Sequence, residues 1–393
     1  MTYGPLLEED QAAADDIFST AFAVPKEQIP RWLDVAGREN VRVLRDGGTP
    51  AGCLIVVPMG HYWLGRSVST MGIAGVGVAL DQRGKGVAKR LMVETLQEIA
   101  EQKVAMSTLY PATQTLYRAV GYERAGKTLE VKIPSVWLDP GTERERAIEI
   151  KRLGEAQEES VMALYAELAR EQHGYLDRGP YMWKRVRKSR DVATHGIGFY
   201  VGDRLEGYLY LRADTNPQAQ SPHHDLFLTD AVAATPRATR AMFRYLYDQR
   251  SLVEEVAFRT GPEIPMLSIL PENRYDQFTV LDWMVRITNV EAALAGRGYP
   301  LGVKTTLEIA IGDPLIEANA GRWIVHVEDG KAQVARGGNG AIAIDVRALA
   351  PLYSGYLSAT SMRRLGWLET NDAETQALEE IFRSPMPGMC EMF

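Results

Sequence analysis

The chain has 393 residues, a formal net charge of −7 and 46% hydrophobic residues, enough to bury more than one core and to build two or three domains. Two cysteines, Cys53 and Cys390, are too few for a disulfide framework and suit a reducing compartment, and the mildly acidic balance argues against a general nucleic-acid surface. No apolar run approaches membrane-spanning length, and Met1-Thr2-Tyr3-Gly4-Pro5 has no basic stretch leading into an apolar one, so the expected setting is cytoplasmic, with neither membrane nor nucleic acid as partner.

In chain order, Glu8 to Phe22 has helical spacing and Arg31 to Glu39 reads as a second short helix. Val41 to Leu44 and Gly52 to Met59 are expected to pair as strands around the turn Asp46-Gly47-Gly48-Thr49. Ile73 to Val78 reads as a buried strand, running through the turn Arg83-Gly84-Lys85-Gly86 into a basic amphipathic helix from Val87 to Lys103. Gly84 and Gly86 tolerate positive φ and let backbone approach a ligand, while the amides opening the helix point at an anion along its dipole. Lys85, Lys89 and Arg90 add positive charge at the same spot. This is the build of a pyrophosphate cradle, although the spacing has neither the Lys-Ser/Thr of a P-loop nor the third glycine of a dinucleotide fingerprint. An ordinary strand–turn–helix connection is the competing reading of the turn taken alone.

A short strand, Val104 to Tyr110, follows, then Pro111-Ala112-Thr113 and Leu116 to Glu123. The turn-rich joint Leu138 to Glu143 closes a first unit near Thr142. The second unit is expected to contain helices at Ala156 to Glu171 and Tyr181 to Ser189 and a hairpin from Ile197 to Leu211 turning at Gly202-Asp203. Phe227 to Ala234, Thr235-Pro236 and Arg237 to Gln249 then repeat the strand–turn–helix rhythm of residues 73–100, so the chain reads as internally duplicated. In this copy Ala234 to Thr239 contains no glycine and Pro236 removes one amide, which leaves a structural or substrate-lining role. His223-His224, in the loop Asn216 to Asp225, lacks Cys or spaced acidic partners, so no metal site is assigned, and Cys53, with no His nearby in sequence, reads as core.

The last hundred residues change texture. Leu307 to Ile311, Gly321 to Glu328, Lys331 to Ala335 and Ala341 to Val346 are short alternating strands, and Val346 to Ser354, Ser358 to Leu365 and Asp372 to Phe382 are helical, with 287–294 as a first helix.

The pattern Arg83-x-x-Gly86-x-Ala88 after the strand 73–78 resembles the acyl-CoA-binding signature of the GNAT acetyltransferase superfamily. The order of the units, together with Leu109-Tyr110-Pro111-Ala112 and Tyr117 to Tyr122, resembles the enhanced-intracellular-survival (Eis) type N-acetyltransferases. The fold this implies is α/β and α+β multidomain: a GNAT domain at 1–142, a degenerate GNAT-like domain at 143–286 and a sterol-carrier-protein-like α+β domain at 287–393. The resemblance implies acetyl-CoA as cosubstrate, held by Val76, Val78, Arg83, Gly84, Lys85, Gly86, Val87 and Ala88, and no metal. It places Tyr117 beside the CoA sulfur, where a phenol can reprotonate the departing thiolate, against the plainer reading of an aromatic packing residue. It also implies that the C-terminal carboxylate, here on Phe393, reaches back as general base for the substrate amine. The apolar tail Pro387-Gly388-Met389-Cys390-Glu391-Met392-Phe393 is what burial requires, although Phe393 packing at the rim of the third domain satisfies the sequence equally, and Glu391 rivals it as base. Phe22, Trp32 and Asp34 lie on the stretch that lines the acceptor pocket in this family, while each also suits helix core. The implied reaction is direct, sequential transfer to a small-molecule amine, an aminoglycoside or another polyamine-like acceptor, with the backbone of Val78 meeting the developing oxyanion. A homo-oligomer, commonly a hexamer, is implied as well. A CoA-binding regulator without turnover and a lipid carrier using the C-terminal fold are the alternatives, and the strands around Trp323 point to a filled small core rather than a lipid tunnel.

Overall fold

The computed structural model describes residues 1–189, 192–217 and 221–393, so 218–220 of the loop 216–225 lie outside it. The first domain runs β1 (Thr2–Pro5), α1 (Gln11–Phe22), α2 (Ile29–Ala36), β2 (Val41–Asp46), β3 (Thr49–Trp63), β4 (Arg66–Val78), α3 (Val87–Glu101), β5 (Met106–Leu109), α4 (Gln114–Arg118) and β6 (Glu123–Pro134). The expected helix from Glu8 begins as a 3-10 turn over Glu8–Asp10. The second helix is displaced toward the N-terminus from the expected Arg31 to Glu39, because Pro30 fits its first turn and Gly37, at φ +85°, ends it.

The second domain continues with β7 (Glu149–Arg152), α5 (Glu158–Ala169), β8 (Leu176–Asp177), α6 (Pro180–Arg187), β9 (Lys188–Ser189), β10 (Val192–Ala193), β11 (His195–Val201), β12 (Arg204–Asp214), β13 (His224–Ala233), α7 (Pro236–Tyr247), β14 (Val253–Thr260) and β15 (Asp276–Ile287). The third holds α8 (Val290–Gly296), β16 (Thr305–Gly312), β17 (Gly321–Glu328), β18 (Lys331–Arg336), β19 (Ile342–Asp345), α9 (Val346–Ser354), α10 (Ala359–Arg364), β20 (Leu368–Glu369) and α11 (Asp372–Phe382). Ile287 belongs to a strand rather than to the expected helix from 287, which starts after Asn289, whose side chain accepts from the Ala292 amide at 2.9 Å.

The two GNAT-like halves trade strands. β15 inserts between β5 and β6, pairing Met284 with Leu109 on one side and Asp282 with Lys127 on the other, while β6 pairs on its far edge with β14, Phe258 opposite Val131. One sheet of 13 strands, counted among the described residues, therefore runs through both domains. In each half two parallel strands pair briefly and then part: β4 and β5 from Thr70↔Met106 to Ile73↔Leu109, and β13 and β14 as far as Leu228↔Phe258.

The third domain packs α9 against a five-stranded sheet whose inward residues, among them Ile309, Trp323, Val325 and Ile344, share one core with Leu349 and Tyr353. It is fastened to the first by Arg286 on β15. This fully buried guanidinium donates to both oxygens of Asp313 at 2.7 and 2.9 Å and to the Val120 carbonyl at 3.0 Å, filling the space beside Gly121. A buried, bidentate and multiply bonded pair satisfies both charges, and removing one partner would strand the other.

All three domains also meet around two buried histidines. His61 stacks against Trp63 and Trp283 and donates through Nδ1 to the Gly174 carbonyl at 2.8 Å; His173 donates through Nε2 to the Ser354 carbonyl at 2.9 Å. Burial depresses both, His61 to about 4 and His173 to about 3, the second helped by nearby Arg297. Between pH 6.5 and those values the unfolded chain binds protons that the folded chain refuses, so stability is complete above pH 6.5 and falls as pH drops, by about 2 kcal/mol per histidine at pH 5. Thermal melts should show Tm declining steadily from pH 7 to pH 5. An unchanged Tm over that interval would show that the histidines take up charge at no cost.

Candidate functional site

The fork between β4 and β5 is produced by Gly75. Ile55 faces Ala74 and Cys53 faces Gly77, so Gly75 and Val76 together oppose Leu54 in a bulge that begins two residues past the last β4–β5 pair, at Ile73. Gly75 sits at φ +62°, and a Cβ there would come within 3.0 Å of Phe18 and 3.2 Å of Trp32. Only glycine accepts both conditions. Beyond Ile73 the β5-facing edge of β4, carrying Val76 and Val78, has no strand partner among the described residues.

That edge leads into the basic turn. Gly84 and Gly86 both stand at φ +79° with open space where a Cβ would be, and Gly86 caps α3 with no side chain covering the helix end. The first turn of α3 carries no acidic residue, Val87 is buried beneath it, and Ala88 is half-buried. Arg83, Lys85 and Lys89 are exposed, and no ion pair joins them to a carboxylate among the described residues. Uncapped amides, an aligned dipole and unengaged cations are features that favour a bound anion.

On the α3 side of the fork, Tyr117 is buried in one cluster with Ile73, Leu109 and Val87, edge-on to Tyr122 at 6.1 Å. Burial raises its pKa, so its hydroxyl stays protonated at neutral pH. On the α1–α2 side lies Phe393. Its ring meets Tyr110 edge-on at 5.6 Å and lies over Gly72, where a Cβ would come within 2.9 Å.

The tail reaches this point through an unexpected berth. Where β14 stops pairing with β6, Lys127 of β6 instead donates its amide to Pro387 at 3.1 Å; Thr128 Oγ1 donates to the Met389 carbonyl at 2.9 Å and Tyr110 to the Glu391 carbonyl at 2.6 Å. Gly388 passes so close to Gly261 that no side chain fits. Glu391 turns away from the fork and is buried against Arg178, which donates to Glu391 Oε1 and Asp230 Oδ2, each at 2.5 Å, and stacks on Tyr165 at 3.6 Å.

Of the acceptor-side residues, Trp32 packs on Phe18 and Phe22 and donates through Nε1 to Tyr181 of α6 at 3.3 Å, so this wall is shared with the second domain. Phe22 is exposed. Asp34 is not brought in: it faces solvent and pairs with Arg38 at 2.7 Å one turn later. Sequence reasoning noted Gly75 only within the run Gly75-Val76-Gly77-Val78 and did not single out its bulge. It also missed the tail berth and Arg178, for which no local signal exists.

The matching turn in the second domain is closed. Thr235 caps α7 with its own hydroxyl, 3.2 Å from the Ala238 amide, and Pro236 has no amide to offer. Glu206 stands beside it, bonded to Thr235 at 2.8 Å and held down to about 2 by its hydrogen bonds from Arg237. With the helix-end amides capped or missing and Arg237 committed to Glu206, this half is degenerate as an acyl-CoA cradle.

The profile described as "Acetyltransferase (GNAT) domain" matches residues 2–125 and a second of the same description matches 174–287; "Sterol carrier protein domain" matches 290–391. A GCN5-related N-acetyltransferase from Anabaena variabilis is 30% identical, with a TM-score of 0.93 and 100% of both chains covered. The chain belongs to the GCN5-related N-acetyltransferases. An uncharacterized N-acetyltransferase from Streptomyces avermitilis is 26% identical over 77% of this chain and 76% of its own. Eis1 from Mycobacterium abscessus, 21% identical, shares the whole three-domain fold, with a TM-score of 0.79 and 100% of both chains covered. The chain thus has the Eis-type arrangement of tandem GNAT domains and a sterol carrier domain, and enzymes of this superfamily use acetyl-CoA. Among the described residues, no helix is long and apolar enough to cross a membrane.

Replacing Gly75 by Ala should destabilise the fold by roughly 1–3 kcal/mol, through positive φ and the contact with Phe18, and should weaken acetyl-CoA binding. Calorimetric melting and a binding titration on the variant check both. Unaltered values would remove Gly75 as the origin of the fork.

Proposed function

We propose that the first domain, taken as 1–142, transfers an acetyl group from acetyl-CoA directly to a primary amine, with the second domain (143–286) and the third (287–393) supplying walls and the tail. The observation that carries this reading is the convergence at one fork of an open strand edge, an uncapped basic helix end, a buried tyrosine and the chain's last aromatic residue. Acetyl-CoA supplies an acetyl thioester. The open β4 edge at Val76 and Val78 binds the pantetheine arm, Arg83 to Ala88 hold the pyrophosphate, and the Val78 N–H is the donor assigned to the thioester carbonyl oxygen.

Tyr117 gives its phenolic proton to the sulfur, a role that suits a hydroxyl kept neutral by burial. With Phe393 as terminal residue, its carboxylate takes the ammonium proton from the acceptor. Glu391 is the weaker claimant because Oε1 already accepts from Arg178 and Tyr165. The acceptor enters along Phe22, Trp32 and Tyr181. Aminoglycosides or other polyamines are the acceptor class proposed, and a cytoplasmic homo-oligomer, up to a hexamer, is the proposed working form.

The test is release of free CoA thiol from acetyl-CoA against a panel of aminoglycosides, a polyamine, lysine-bearing peptides and an arylamine. Amine-dependent release supports transfer; acetyl-CoA binding with no release for any amine supports a non-catalytic CoA binder instead. Tyr117→Phe should lower kcat by about 100-fold while acetyl-CoA affinity changes only a few-fold, since the hydroxyl acts mainly in the transition state. Equal losses in both would make Tyr117 a packing residue. Adding a few residues after Phe393 should abolish most turnover with Tm unchanged, and full activity in that variant would rule out the terminal carboxylate.

A further inference from the structure

The helix end at the second-domain fork is closed, but the fork itself is not filled. Where β13 and β14 part after Leu228 and Phe258, a cavity of about 550 Å³ opens, and every residue from Phe227 to Ala234 lines it. Side chains alternate between the two faces of a strand, so a cavity touched by consecutive residues runs along the strand's edge and not over one face. β12 occupies the opposite edge as far as Ala233, and beyond Leu228 no strand pairs with the β14 side of β13 among the described residues.

The bonds that close the two strands fix which groups face each fork. Ala79, just after β4, donates its amide to the Ala51 carbonyl of β3 at 2.9 Å, and Ala234, just after β13, donates to the Glu206 carbonyl of β12 at 2.8 Å. Alternation then turns the N–H and C=O of Val76 and Val78 toward the first fork and those of Ala231 and Ala233 toward the second. Counted from the last parallel pairs, at Ile73 and Leu228, these are the same positions. Each strand also carries a bulge in this stretch, between Ala74 and Gly77 in β4 and between Leu228 and Asp230 in β13. Ala231 and Ala233 are both half-buried and both line the cavity.

What the second fork lacks is a place for phosphate. Arg237 is committed to Glu206, and the cations of the lining are engaged as well: Arg212 with Asp214, Arg259 with Glu130, and Arg185 with the Tyr181 hydroxyl. The remaining walls are apolar, from Leu168, Met182, Phe227, Phe258, Ile264 and Met266. An open strand edge in an apolar slot, with no unengaged cation beside it, suits an uncharged chain that carries amides.

We propose that this cavity is a second binding site, distinct from the acetyl-transfer fork, for an extended diamide: a pantetheine-type chain without nucleotide or phosphate. Its amides bond the open edge at Ala231 and Ala233, as an added strand would, and its methylene and methyl groups meet the apolar walls. The choice of ligand rests on the reading of Val76 and Val78 as the pantetheine edge of the first fork. The probe is pantetheine, titrated calorimetrically into the full chain already saturated with CoA, so that the first fork is occupied.

One CoA should bind per chain, and one pantetheine should bind after it. Ala233→Pro, which deletes one fork-facing N–H and leaves the Ala234–Glu206 bond in place, should weaken pantetheine at least ~10-fold, with CoA affinity changed no more than a few-fold. Leu168→Trp, which puts a larger side chain in the wall from α5, should do the same and keeps the test decisive should the proline variant fail to fold. Pantetheine that does not bind the CoA-saturated chain, that binds indifferently to both substitutions, or two CoA per chain overturns the proposal. One CoA per chain without pantetheine binding sinks this site and leaves the transfer reading standing. Substitution-sensitive pantetheine binding in a chain that takes up no CoA supports the site and removes that reading.

Discussion

β15 is hydrogen-bonded on both edges by strands that precede it by more than a hundred residues, and this exchange fixes the rest of the molecule. It stands between β5 and β6 and seats β5 on its own edge, so that β5 can end at Leu109 and leave the fork with β4 open. It frees the far edge of β6 for β14 and, where β14 stops, for the tail at Lys127. It also carries Arg286 to the point where Asp313 anchors the third domain. Backbone pairing thus sets the position of every group at the fork before any side chain is considered, because ladder hydrogen bonds between buried strands leave little freedom of register.

The two forks show how one topology carries an open or a closed helix end. In the first, glycines at 84 and 86 expose the amides of α3 and no carboxylate intrudes. In the second, the equivalent amides are taken by the Thr235 hydroxyl or deleted by Pro236, and Glu206 ties up the Arg237 guanidinium. The difference lies in a handful of residues at a helix end, where the dipole is concentrated and substitutions act most strongly.

The glycine-rich turn between β4 and α3 was legible in the sequence because its determinants are contiguous: glycine spacing, basic residues and a helix-forming run within twenty positions. The closing of the second cradle was half legible, since Pro236 announces a missing amide, whereas Glu206 lies thirty residues away on β12. β15 escaped the sequence reading because its pattern, with Asp282 and Arg286 among apolar residues, does not alternate as a surface strand does; both charges are explained by partners in other domains. Arg178, Asp230 and Glu391 are scattered over more than two hundred positions and become one cluster only through the tail's course. Asp34 illustrates the reverse error: a carboxylate near aromatic residues in sequence faces the other side of α2, because neighbouring helix positions do not share a face.

The strand exchange also sets an order of events during synthesis. A nascent chain that has released only residues 1–142 lacks β15 to seat β5 and lacks the segment that lies along Lys127, so its fork stays unfinished although its glycine-rich turn is complete. Closing the sheet joins residues as far apart in the chain as Met106 and Ile287, a loop whose entropy must be overcome before the contacts reward it. The segment that enters the fork, 387–393, follows every strand of the sheet in the chain. A truncated or stalled product is therefore left with an open, incompletely paired β6 edge, a state more prone to strand-to-strand association than to premature chemistry.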